Sequence, residues 1–237
     1  MVYIYPIFQQ NMEIVFFFYG LGFFILAVVL YISLLKMGKM PLTNAFWMLF
    51  WFALLHGLQE WADMLNIIKG PSNFLFLTGL IVGTVSFGFL LQFGINMICV
   101  YYEKWSLAKG IPFIATIMFF WITFFTGNSL NPIFKNAGRF SLGFLGALLS
   151  TYGLYIFYNR IKAIISVKIK IGLLLLITSF GTYVFFGGLI ITPIAGLPVQ
   201  LFRMGCAILA AIGSVLILEL LKQFNVYQTT KKIPKKR

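Results

Sequence analysis

Residues 12–35 read MEIVFFFYGLGFFILAVVLYISLL, and the one charged side chain among them, Glu13, stands at the start. Coiled into an α-helix, that run would extend about 36 Å, more than the roughly 30 Å of a bilayer's hydrocarbon core. The same reading recurs along the chain. Segments suited to crossing a bilayer run over 12–35, 45–66, 74–102, 111–127, 141–160, 171–192 and 201–222, the fourth at the short end of the range. Helix breakers separate them: Pro41 in the first connection, Gly70-Pro71 in the second, Asn131-Pro132 in the fourth, Pro193 and Pro198 in the sixth. The fold expected is an all-α integral membrane protein. A seven-transmembrane-helix bundle occupies residues 1–222 and a basic cytoplasmic tail residues 223–237.

Composition excludes the water-soluble alternatives. Hydrophobic residues make up 61% of the chain and charged residues 10%, whereas a soluble surface is about a quarter charged or more. Aromatic residues reach 19%, and many sit at segment ends, where they anchor spans at the headgroup level. The net charge of +13 does not point to nucleic acid, because the basic residues lie in short connections and in the tail. Their distribution sets the orientation. With the N-terminus outside, only Lys69, Lys135, Arg139 and Arg203 fall on the outer side, and the other fourteen of the eighteen basic residues are cytoplasmic. The first twelve residues carry no Lys or Arg, so a cleaved signal peptide is not expected. The last segment has no Gly or Pro from Ser214 to Gln228. A helix continuing that far would be about 42 Å long and would project into the cytoplasm.

Acidic residues number five, and there is a single histidine. Glu13, Glu103 and Glu219 fall at segment ends and read as interfacial charges, Glu219 being spaced to pair with Lys222. The second segment differs. His56, Glu60 and Asp63 occupy positions i, i+4 and i+7 and share one helical face. Ionisable groups at that depth must face the bundle interior and find partners. Arg203, at the outer start of the last segment, is the expected partner of Glu60 or Asp63 through a carboxylate–guanidinium clamp. That cluster reads as a ligand-binding site or as a purely structural clamp. An unperturbed imidazole titrates near pH 6.5, about one turn from Glu60, which suits a response to pH. Secondary candidates are the intramembrane polar groups Gln92, Asn96 and Tyr183, better explained by interhelical hydrogen bonding.

No cofactor is expected. A metal or haem site finds weak support, because no further ligand is evident and one histidine cannot supply two haem ligands within one chain. A nucleophilic triad and a phosphate-binding loop are both missing, so no enzymatic activity is expected. Cys99 and Cys206, both inside apolar segments, read as small buried hydrophobes.

The stretch His56-Gly57-Leu58-Gln59-Glu60-Trp61, followed by Asp63, resembles the second helix of a seven-helix sensory module. Such modules stand at the N-terminus of bacterial sensor histidine kinases and cyclic-di-GMP signalling proteins. Gly196-Leu197-Pro198-Val199-Gln200-Leu201-Phe202-Arg203 resembles the start of its last helix. Elsewhere the likeness lies in helix count and topology. It implies a multi-pass inner (plasma) membrane sensor, a homodimer surrounded by lipid, whose last helix hands a signal to a cytoplasmic partner. No output domain follows in this sequence. A transporter or channel component, or a structural subunit of a larger membrane complex, are the competing readings. The scarcity of ionisable groups in the inner half of the segments argues against a relay.

Overall fold

The structure is a computed structural model that describes residues 4–35, 41–100, 102, 110–125 and 136–231. The Asn131-Pro132 breaker, Glu103, Lys135, the end of the basic tail and the side chains of Glu219 and Lys222 lie outside the described residues. The described residues are helical, with no strand among them. A short helix α1 (Ile4–Gln10), which the hydrophobic pattern does not predict, leads into α2 (Met12–Leu34). There follow α3 (Pro41–Ile68), α4 (Asn73–Cys99), α5 (Ile111–Phe125), α6 (Phe144–Ile161), α7 (Val167–Tyr183) and α8 (Val199–Lys231).

Among the described residues, five helical stretches are long and apolar enough to cross a membrane: Met12–Leu34, Asn73–Cys99, Asn136–Ile161, Val167–Leu189 and Val199–Ile217. The chain is therefore a multi-pass membrane protein. Of the remaining two expected spans, α5 has only 15 residues. The other, α3, has 28 residues but is diluted by His56, Gln59, Glu60 and Asp63. Pro41 is not a loop residue but the first residue of α3, where its missing N–H removes no intrahelical bond. At 33 residues, α8 is about 50 Å long and outlasts its apolar portion.

The helices close into a six-membered ring in the order α2, α3, α4, α6, α7, α8 and back to α2. Register follows from the closest backbone approaches. A side chain on Gly94 would meet the Ser150 nitrogen at 2.6 Å, and one on Gly146 the Leu91 nitrogen at 2.8 Å. Residue numbers thus rise together along α4 and α6, and these two helices are parallel. Gly172 against Gly213 and Ser179 against the Cys206 carbonyl make α7 and α8 antiparallel. Outside the ring, α5 packs against α4 and buries only Pro112 and Thr123.

Two π-helical turns interrupt the ring. Arg139–Gly143 precedes α6, within a helix that begins at Asn136, and Val184–Leu189 prolongs α7. They touch one another at the end of the bundle that also holds the start of α2, the end of α3 and the start of α8. Arg139 was expected in an outer connection. It opens the first π-turn instead, half-buried against α4, because the helix starts several residues earlier than the hydrophobic run.

Candidate functional site

At the centre of the ring stands His56, with none of its surface exposed. Its position follows from the pattern of α3, which turns His56, Gln59 and Glu60 inward and leaves Leu58 outward. Three phenylalanine rings enclose the imidazole, with centroids at 4.6 Å for Phe23, 5.3 Å for Phe52 and 5.2 Å for Phe87. Within this apolar sleeve each ring nitrogen has a polar partner. Nδ1 lies 3.3 Å from Ser86 Oγ on α4. Nε2 lies 3.1 Å from the Tyr19 hydroxyl on α2 and 3.1 Å from the Tyr183 hydroxyl on α7. The Glu60 carboxylate, one turn along α3, approaches the same nitrogen at 3.5 Å.

The hydrogens can be assigned from this network. Ser86 Oγ donates to the Gly83 carbonyl at 2.7 Å, so its lone pairs face Nδ1 and that nitrogen carries the N–H. In the neutral imidazole Nε2 is then an acceptor with one lone pair, while two hydroxyls reach it. One tyrosine donates to Nε2 and the other takes its partner elsewhere in the cluster. Protonation would turn Nε2 into a donor and both tyrosine oxygens into acceptors. One set of heavy-atom positions thus accommodates two hydrogen arrangements. The link to Tyr183 spans the ring, since α3 and α7 stand on opposite sides of it.

Arg203 is buried, 2% exposed, near the start of α8. It does not form the expected clamp with Glu60 or Asp63. Its Nε donates to the Phe186 carbonyl at 2.5 Å and its Nη2 to the Ile190 carbonyl at 2.9 Å. The cause is the π-turn. At the C-terminal end of α7 the backbone turns extended at Ile190, leaving carbonyls with no helical donor. A cation there meets both the open lone pairs and the negative end of the helix dipole. Asp63 in turn accepts from Gln59 Nε2 at 3.0 Å. Both arginines, Arg139 and Arg203, together with Glu60, act electrostatically on the two tyrosines, so all belong to one polar cluster.

Two cavities that border this cluster hold about 10 Å³ each, room for a single water. One is lined by Gln59, Thr84 and Arg139, the other by Ser179, Tyr183 and Cys206. Among the described residues no three His, Cys, Asp or Glu side chains gather as a metal-binding group. Cys206 rests its sulfur 3.2 Å from Thr182 Oγ1. Gln92 and Asn96 bond to each other at 2.8 Å, on a face of α4 away from His56.

Of the sequence candidates, the fold brings together His56, Glu60, Tyr183 and Arg203. Asp63 lies one turn further out, and Gln92 and Asn96 are separate. Tyr19, Gln59, Ser86 and Arg139 belong to the cluster but were not singled out by sequence. Tyr19 and Ser86 are lone polar groups in apolar runs, a weak signal before their neighbours are known, and Gln59 and Arg139 stand beside other polar residues that do not set them apart. Comparison with family models, with curated proteins and with solved structures gives no significant match. The resemblance to sensory modules rests on residues 56–63 and 196–203.

Proposed function

We propose that the chain is a seven-span sensory module with its N-terminus outside and its C-terminus in the cytoplasm of a bacterial inner membrane. Protonation of His56, or a small ligand engaging it, biases the position of α8, which carries the signal to a cytoplasmic partner from a homodimer. No catalytic role is assigned to any residue. The course of the chain favours seven crossings. Parallel α4 and α6 require the intervening chain to return across the bundle, and α5 is the helix available to do so. The outward face given to His56 rests on the excess of Lys and Arg at the other end.

The observation that carries the reading is the meeting of three helices on one imidazole nitrogen, Nε2 with Tyr19 and Tyr183 at 3.1 Å each. Neighbouring cavities of one-water size favour a proton over a larger ligand. The polar groups that reach His56 are Tyr19 on α2, Glu60 on α3, Ser86 on α4 and Tyr183 on α7, with the charges of Arg139 and Arg203 acting on the two tyrosines. Tyr183 is the last residue before the π-turn whose carbonyls Arg203 holds. A change at Nε2 therefore has a short covalent and hydrogen-bonded route to α8 through the π-turn.

Spin labels at Lys162→Cys and Gln223→Cys, in a background lacking the native cysteines, would measure the distance from the α6–α7 connection to the distal part of α8. The distance distribution should differ between pH 5 and pH 8, and the difference should vanish in His56→Gln. A wild-type protein whose distances ignore pH and tested ligands, yet which conducts ions or carries a solute in liposomes, would replace the sensor with a transporter.

A further inference from the structure

We infer that the protein has a second binding site, between α4 and α5 and separate from His56, that takes an uncharged amphiphile from the bilayer. The inference does not depend on the sensory reading. A cavity of about 600 Å³ opens there, within the range of sites that hold cofactors and drug-sized molecules. Met48, Val85, Phe89, Phe113, Ile117 and Phe120 form much of its wall. It arises where α5 stands outside the ring against α4, which it meets closely at Gly88, where an added side-chain carbon would lie 2.5 Å from Thr116 Oγ1.

The polar groups in the wall define the occupant's chemistry. Gln92 and Asn96, one turn apart on α4, bond to each other at 2.8 Å. Whichever way the two amides are assigned, that bond leaves one amide oxygen and one NH₂ group on the cavity wall. Unpaired amides inside a bilayer are costly, and a paired partner is worth supplying. Thr116 already donates to the Pro112 carbonyl at 2.7 Å, so it offers only lone pairs. Among the described residues no charged side chain lines the cavity. A molecule that fits carries a long apolar chain or ring system and one uncharged group able both to accept and to donate, such as a hydroxyl beside an ester carbonyl. Among the described residues a carboxylate or a phosphate would find no countercharge.

Position links this site to the cluster without merging them. Val85 and Gly88 face the cavity, while Ser86 and Phe87, between them on α4, touch His56. An occupant that shifts α4 would be felt at the imidazole.

The test is photolabelling of the full chain in liposomes with a long-chain monoacylglycerol carrying a diazirine and an alkyne. Saturable labelling should map to Val85–Asn96 and Pro112–Phe120 and be displaced by unlabelled monoacylglycerol but not by the matching fatty acid. Gln92→Leu should weaken it about tenfold, as expected for losing an anchoring hydrogen bond. Should Gln92→Leu fail to fold, Val85→Phe, which fills the cavity with apolar bulk, must abolish saturable labelling. Labelling that does not saturate and spreads over the lipid-facing Ile114 and Trp121 would mean ordinary boundary lipid and overturn the site. So would an absence of cavity labelling, as expected if α5 closes onto α4 in the bilayer.

Discussion

Two faces of α4 border different surroundings. Where it carries Ser86 and Phe87 it borders a core in which His56, Tyr19, Glu60, Tyr183 and Arg203 leave voids of about 10 Å³. Where it carries Gln92 and Asn96 it borders a cavity of about 600 Å³ against a helix that buries two residues. The first region is polar and closed, the second apolar and open. A closed polar cluster in an apolar medium holds its helices in place until its own hydrogens rearrange, because every displaced hydrogen bond would go unreplaced. An open apolar cavity does the reverse, leaving α5 loosely held and room for an occupant. Closure suits a site that responds to a proton, and openness suits one that admits a molecule.

The sharpest way to break this comparison is to remove the group that closes the polar cluster. Arg203→Ala should destabilise the bundle by about 3–5 kcal/mol in a reversible unfolding assay, since it strips two bonds from a buried helix end. If carbonyls are its partners, a double-mutant cycle with Glu60→Gln should give a coupling of less than about 0.5 kcal/mol. A large coupling would restore the carboxylate clamp. Next in size is Gly94→Ala, which places a methyl group against the Ser150 backbone where α4 and α6 touch. It should cost about 1–3 kcal/mol. A neutral result would mean the ring is not closed between these helices.

Smaller changes sharpen the contrast. Tyr183→Phe keeps the ring packing and loses the hydroxyl that crosses the bundle, for an expected loss of about 1 kcal/mol. Trp121→Ala, on the lipid face of α5, should change stability by less than about 0.5 kcal/mol. Equal effects would erase the distinction between closed and open regions. Ala195 sits in the left-handed region at φ 51°, beside Gly196 at φ 80°, in the tight turn where Ile194 and Leu197 exchange backbone hydrogen bonds. Ala195→Gly should therefore stabilise the protein by up to about 1 kcal/mol, the only gain among these changes.

Much of this was legible in the sequence for a simple physical reason. Apolar runs long enough to cross a bilayer have few other uses, so residues 12–35 already announce a membrane helix. The i, i+4 spacing of His56 and Glu60 likewise fixes a shared face whatever the rest of the fold does. Arg203 was found by its charge, but its partners were not. They are backbone carbonyls exposed by the π-turn at Val184–Leu189, and no periodicity in that run distinguishes a π-turn from an α-helical one. Arg139 was misplaced for a related reason, since the helix it belongs to begins in polar sequence at Asn136. Tyr19 and Ser86 gain meaning only through the imidazole between them, and a hydroxyl inside an apolar span has no sequence signature of its own. The outboard placement of α5 was also invisible, because lipid-facing and protein-facing apolar residues look alike.

Because His56 is the only histidine in the chain, selective ¹⁵N-histidine labelling reads the central cluster without assignment. At neutral pH in a bilayer, nitrogen NMR should report Nδ1 as the protonated nitrogen and Nε2 as an acceptor whose signal moves in both Tyr19→Phe and Tyr183→Phe. Acidification should protonate Nε2 and leave the Nδ1–H bond to Ser86 in place. A proton on Nε2 at neutral pH, or an imidazole indifferent to the loss of both hydroxyls, would contradict the account.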